Sequence, residues 1–212
     1  MPEHATYIET HLGGGAVMRK KRPSPRQIGI DVDQRVIASW KRLPAPCELV
    51  CGDAVEFLLR FPFRGDELVY CDPPYPRQVR IALRSYRFEY RDNDHVRLIE
   101  VLRSLPCSVM ISGGPAPFYL ERLADWRRLE FRAGARRVGR AEFLWMNFEA
   151  PSRLHDPRHG GENFRERERL KRRMATMTRR VELMPDTERA VFGAWFAERF
   201  PEDVRPPAEP AR

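Results

Sequence analysis

The sequence predicts an α/β fold: a mostly parallel sheet with helices on both faces, an antiparallel edge hairpin and C-terminal helices. Three observations predict it. Short apolar runs alternate with helix-like segments through about residue 125. Two strand-like runs, Trp126 to Arg132 and Ala141 to Phe148, then follow with no helical pattern between them, which suits a hairpin turning near Gly134 and Gly139. Beyond residue 161 the chain reads as charged helix.

Taken in order, Tyr7-Ile8 is a short apolar run that leads into Gly13-Gly14-Gly15. Gln27 to Asp31 reads as a strand, followed by a helical pattern through Trp40. Glu48 to Cys51 is a further strand, followed by a helix from about Asp53 to Arg60. Glu67 to Cys71 is another strand. Asp94 to Leu105 places Val96, Leu98, Ile99, Val101, Leu102 and Leu105 at helical spacing. Ser108 to Ile111 is a strand ending at Ser112-Gly113-Gly114. Pro151 to Gly161 reads as a loop, Glu162 to Val181 as a charged helix and Thr187 to Phe200 as a shorter amphipathic one. The expected domains are residues 1–150, a basic helical extension over 151–200, and a Pro-rich disordered tail over 201–212.

The 212 residues suffice for one domain with a real core, and 42% of them are hydrophobic. A net charge of +8 favours a polyanionic partner, nucleic acid being the commonest. Cys47, Cys51, Cys71 and Cys107 contain no CxxC pair and few histidines stand near them, so no metal site is indicated and buried free thiols are expected. No apolar stretch is long enough to span a membrane, and the glycines and basic residues near the N-terminus do not form a signal peptide. The expected location is the cytoplasm.

In open parallel sheets ligands bind at the carboxyl ends of strands, and four polar features fall at such ends. Consecutive glycines after Glu9-Thr10-His11-Leu12 let the backbone approach a ligand and turn into a helix. Asp31 ends a strand, where an acid can accept both hydroxyls of a ribose. Asp53 can accept from an exocyclic amine or cap the helix that follows. Asp72-Pro73-Pro74-Tyr75 directly follows an apolar run. Its two prolines cannot continue a ladder and stiffen the turn. That turn holds a carboxylate, the Pro73 carbonyl and an aromatic ring, which together suit a planar base with an NH2 group. Tyr86 to Arg91, just after this turn, can hold such a base or the nucleic-acid backbone, and Phe88 and Tyr90 serve equally as core residues. His95 is expected on a helix surface or at a cap, and Trp126 and Trp145 in the core.

The order and spacing of these segments resemble the Dam-like N6-adenine-specific DNA methyltransferases, above all the short phage- and prophage-type DNA adenine methylases. Tyr7 to Val17 is similar to that family's cofactor loop, Ile30 to Asp33 to its ribose-binding acid segment, Gly52 to Ala54 to its adenine-contacting segment, and Asp72 to Tyr75 to its catalytic tetrad. The resemblance covers about residues 5 to 150. It implies a Rossmann-like S-adenosylmethionine-dependent methyltransferase fold. It further implies S-adenosylmethionine as cofactor, held by Glu9, Leu12, Gly13, Gly14, Gly15, Asp31, Asp53 and Ala54, and methyl transfer to a flipped-out adenine at Asp72, Pro73, Pro74 and Tyr75. Double-stranded DNA is then the partner, and a restriction endonuclease is compatible with it. The family usually carries a Gly-Gly-Lys segment before the first strand, which does not precede Tyr7 here. Larger members insert a target-recognition region between the ribose acid and the catalytic strand, but only about 40 residues separate Asp31 from Asp72.

DNA contact is therefore expected elsewhere. Arg158 to Arg180 holds nine Lys/Arg and three Glu. Within it, Arg165, Arg167, Arg169, Lys171, Arg172 and Arg173 can contact phosphates, or the helix can be a solvated one with local ion pairs. Two alternatives accompany the main expectation: a methyltransferase for exocyclic amines in RNA, and a non-catalytic DNA-binding remnant.

Overall fold

The computed structural model describes residues 1–42, 47–79, 86–133, 140–161, 163–201 and 204. They divide into two compact units, Pro2–Ser152 and a second formed by Met1 with Arg153–Arg212.

The larger unit is a seven-stranded, mostly parallel sheet. Its elements are β1 (Thr6–Glu9), α1 (Ala16–Lys20), β2 (Arg26–Asp31), α2 (Gln34–Lys41), β3 (Glu48–Cys51), α3 (Ala54–Arg60) and β4 (Glu67–Cys71). They continue with α4 (Asp92–Ser104), β5 (Ser108–Gly113), α5 (Pro117–Arg122), β6 (Arg127–Ala133) and β7 (Arg140–Met146). The strand order is β3-β2-β1-β4-β5-β7-β6. The pairs from β3 through β5 are parallel, while β7 runs antiparallel to both β5 and β6. The expected edge hairpin is thus present; Gly134 and Gly139, expected near its connection, lie outside the described residues.

Burial follows strand position. Every residue of the central β1 and β4 is buried, because these strands have a neighbour on each side and layers above and below. A hydrophobic cluster joins Ile8, Ile30, Val69 and Ile111 of the sheet to Val55, Leu58, Leu98, Ile99 and Tyr119 of α3, α4 and α5. Each such aliphatic side chain contributes about 1.5–3 kcal/mol. The α2 helix lies outside this cluster, with Ile37 and Trp40 buried, as right-handed crossovers of opposite direction from β1 and β4 require.

Several expectations need correction. His95 is completely buried rather than on a surface. Its position with Leu98, Ile99 and Leu102 on one face of α4 dictates this, and its Nδ1 lies 3.0 Å from the Tyr119 hydroxyl. Cys71 and Cys107 are buried, but Cys47 is only half-buried and Cys51 is exposed. Cys47 precedes and Cys51 ends β3, an edge strand with a single neighbour. The α5 helix was not anticipated; it is short and starts with Pro117 at its first turn. Trp126 and Trp145 are core residues as expected.

The smaller unit carries α6 (Phe164–Glu182) and α7 (Asp186–Arg199), and neither helix has a buried residue. Asn163 caps α6 by accepting from the Glu166 N–H at 3.0 Å. The loop expected before α6 contains a short 3-10 turn, Pro157–His159. Glu162 and most of the tail beyond Pro201 lie outside the described residues.

Candidate active site

In the strand order, connections leave β1 toward β2 and leave β4 toward β5, in opposite directions. The carboxyl ends of β1 and β4 therefore flank the topological switch point, where open α/β sheets bind ligands. A cleft of about 590 Å³ opens there.

The β1 side of the cleft is built from the glycine loop. Gly13 and Gly15 adopt positive φ of 45° and 59°, a region that favours glycine. A Cβ on Gly15 would also collide with the Trp40 ring, and the Trp40 Nε1–H donates to the Gly13 carbonyl at 2.9 Å. Asp31 fixes the other side of the turn: its Oδ2 accepts from the Gly13 N–H and its Oδ1 from the Asp33 N–H, both at 2.8 Å. Each carboxylate oxygen retains acceptor capacity for an outside hydroxyl. Around Gly13 and Gly14 a Cβ would meet nothing, so the backbone there is open to a ligand. Beneath the loop, the Glu9 carboxylate accepts from the Tyr7 hydroxyl and the Met18 N–H, both at 2.9 Å. Burial pushes its acid up to about 7.

Asp53 caps α3 by accepting from the Glu56 N–H at 2.9 Å. The same residue lines the cleft beside the buried Ala54, so one side chain both caps α3 and faces the cleft.

The β4 side carries the Asp72–Tyr75 turn. Asp72 Oδ1 accepts from the Ser112 hydroxyl at 2.7 Å, which ties the end of β4 to the end of β5. Asp72 stays open to solvent at the cleft; desolvation on its inner side raises its carboxyl from the ordinary value, with the Ser112 hydrogen bond working against that rise. Tyr70, two residues earlier in β4, places its hydroxyl 3.1 Å from the same Ser112 oxygen. Asp72 and Pro74 line the cleft, whereas Pro73 is buried. Tyr75 faces a second hollow of about 220 Å³ with Val79, Gly114, Pro115, Ala141 and Glu142. There its hydroxyl donates to Glu142 Oε2 at 3.1 Å.

A directional hydrogen-bond chain joins the two sides. Thr10 Oγ1 donates to Cys71 Sγ at 3.0 Å. Having spent its proton, Thr10 must accept from His11 Nδ1 at 2.9 Å, which leaves His11 Nε2 to accept from the Tyr90 hydroxyl at 3.0 Å. Desolvation, with His95 as a smaller cause, pushes the His11 imidazole down to about 3, so it is neutral near pH 7. Tyr86 to Tyr90 form a further wall of the cleft. Arg87 reaches Asp33 at 2.7 Å, and Phe88 is exposed. Tyr90 packs against the core and also lines the cleft.

All eight anticipated cofactor residues, Glu9, Leu12, Gly13, Gly14, Gly15, Asp31, Asp53 and Ala54, line this one cleft. Arg165, Arg169, Lys171, Arg172 and Arg173 stand exposed on α6, in the other unit. The sequence alone points to no role for Ser112, Glu142, Trp40 or His11. Trp40 carried a signal, since it closes a helical apolar pattern just after Asp31. Glu142 carried none, because its partner is distant in the chain.

Residues 46–121 match the family model of the D12 class N6 adenine-specific DNA methyltransferase. The matched stretch contains Asp53 and the Asp72–Tyr75 turn; the glycine loop and Asp31 lie before it. The match supports methyl transfer as the reaction class. No curated protein matches the chain. Solved structures similar to it include an rRNA methylase from Streptococcus thermophilus, with 9% identity, 69% of this chain and 87% of that one covered, and a TM-score of 0.47. The putative methyltransferase yhhF from Escherichia coli has 17% identity over 67% and 74% of the two chains, with a TM-score of 0.45. SMU.1697c, a putative methyltransferase from Streptococcus mutans solved in complex with SAH, has 7% identity over 69% and 89%, also with a TM-score of 0.45. Among the described residues, no helix is long and apolar enough to cross a membrane.

Proposed function

We propose, from the match of residues 46–121 to an N6 adenine-specific DNA methyltransferase family, that this chain transfers a methyl group from S-adenosylmethionine to the N6 amino group of adenine in DNA. One observation carries the proposal. At the switch point, a carboxylate oriented by Ser112 shares a cleft with a glycine loop and with Asp31 and Asp53.

The residues on the β1 side suit the cofactor. The open backbone at Gly13 and Gly14 admits a close approach, Asp31 has acceptor capacity for ribose hydroxyls, and the exposed Asp53 can accept from the adenine amine. S-adenosylmethionine supplies an electrophilic methyl group when bound. The rest of the chemistry belongs to the chain. Adenine N6 is a weak nucleophile because its lone pair is delocalised into the ring. With Oδ1 held by Ser112, Asp72 has Oδ2 left to accept from an incoming N–H, and the Pro73 carbonyl would offer a second acceptor. Two such bonds favour a more tetrahedral nitrogen with its lone pair free. A carboxyl raised above its usual range is also a better acceptor for the proton that the methylated amine sheds. Positioning and fixed electrostatics then lower the barrier. Tyr75 would stack on a base taken out of the duplex.

In this proposal residues 1–150 are the catalytic domain, and Arg165, Arg169, Lys171, Arg172 and Arg173 of the helical extension contact DNA phosphates. The protein works in the cytoplasm, and a restriction endonuclease is a compatible partner. The test is transfer of labelled methyl from S-adenosylmethionine to adenine-containing duplex DNA, with ribosomal RNA in a parallel reaction. Label in DNA as N6-methyladenine, reduced at least about 100-fold in Asp72→Ala, is the expected result. Label in RNA alone would replace the substrate. No label in either, with no calorimetric signal for the cofactor, would leave a DNA-binding remnant.

A further inference from the structure

The α7 helix leaves its aromatic side chains uncovered. Phe192 is 36% exposed and Trp195 51%. Among the described residues, their ring contacts are with each other at 5.6 Å and with Phe196 and Phe200. A contiguous aromatic surface standing in water marks an interaction site.

The sequence of that surface identifies its occupant. Glu188, Phe192, Trp195 and Arg199 recur at intervals of four, three and four, which places them along one seam of a helix. Val191 and Phe196 flank the seam. Read in opposite directions, the seam is its own complement. Glu188 stands opposite Arg199 and Phe192 opposite Trp195, and the two-fold operation repeats both pairs. A parallel pairing would instead set Glu188 against Glu188 and Arg199 against Arg199, which repel. Antiparallel pairing also opposes the two helix dipoles favourably. The α7 helix has three acids and two bases, so it does not attract a polyanion or an anionic bilayer. The arginines that would do so are on α6.

We infer that α7 is a self-association seam, covered by α7 of a second copy in antiparallel register, with Glu188 against Arg199 and Phe192 against Trp195. The contact is small and belongs to the weak, concentration-dependent class. It requires nothing of the catalytic cleft.

Sedimentation of the full chain across the micromolar range tests it. A reversible monomer–dimer equilibrium is expected, abolished by Trp195→Asp with the circular dichroism spectrum unchanged. Glu188→Arg and Arg199→Glu should each weaken dimerisation at least tenfold, and the two together should restore it. Both positions are exposed, so loss of folding does not confuse the result. The double reversal is also stringent, because it places the wrong charge at each end of the helix dipole and must still recover. A monomer at every concentration overturns the proposal. So does a dimer indifferent to Trp195→Asp, or a double reversal as weak as its single parents.

Discussion

The two units of this chain hold their aromatic residues in opposite ways. In Pro2–Ser152, Trp145 is 1% exposed and stacks on Tyr119 with ring centroids 5.2 Å apart. In the C-terminal unit, Trp195 is half in water. The first unit is held by burial across long sequence separations, its elements fixed by the sheet. The second is held locally, by an Asn163 cap and side-chain pairs within a turn, such as Arg189 with Asp186. Chemistry that depends on tenths of an ångström suits the first arrangement. Contact with a long, regular partner suits the second.

The sharpest way to break this comparison is to remove the same residue type from each unit. Trp145→Ala should destabilise the sheet unit by about 3–5 kcal/mol, since the cavity cannot collapse between Tyr119 and Phe143. Trp195→Ala, measured by chemical denaturation at dilute protein, should stay within about 0.5 kcal/mol. Equal effects would erase the distinction. Asp72→Ala should leave the melting transition in place while kcat falls by about 100- to 1,000-fold, the range for removal of a preorganised electrostatic partner. Exchanging Arg165, Arg169, Lys171 and Arg172 for Gln should leave stability nearly unchanged and flatten the salt dependence of duplex binding, by about 0.9 in log–log slope for every phosphate no longer neutralised. An unchanged slope would remove α6 from the interface.

The smallest expected effect is on pH. Folding raises the Glu9 acid from 4.5 to about 7, so the native state binds this proton more tightly than the unfolded chain. Its stabilising contribution is complete below about pH 4.5 and is lost as pH rises through about 7. The His11 imidazole moves the other way, from 6.5 to about 3. Its contribution is present above about pH 6.5 and is lost as pH falls toward 3. The two slopes oppose each other where they overlap. Glu9→Gln should therefore remove the decline toward neutral pH, and His11→Phe the decline toward acid. Urea midpoints at a series of pH values would check both.

Much of the sheet unit was legible in sequence because its strands are apolar runs and its ligand-facing residues sit at their ends. Asp31, Asp53 and Asp72 could be picked out singly for that reason. What could not be read were the partners that aim them. Ser112 and Glu142 stand 40 and 67 positions from the residues they hold, and only strand order brings them close. His95 suggests a surface position by its residue type, but its spacing with Leu98, Ile99 and Leu102 puts it on the buried face of α4. The α5 helix escaped because six residues give too few turns for a period to emerge.

The hydrogen bond from Tyr75 to Glu142 has a wider meaning. Parallel strands deliver only their final residues to the ligand rim. The reversed β7 delivers Glu142 from near its beginning, and β6 ends at that same rim. Lengthening the link between these two strands would add material beside the Asp72–Tyr75 turn without rethreading any crossover. A lineage could thus acquire a new substrate preference by a single insertion there, while its reaction stayed the same.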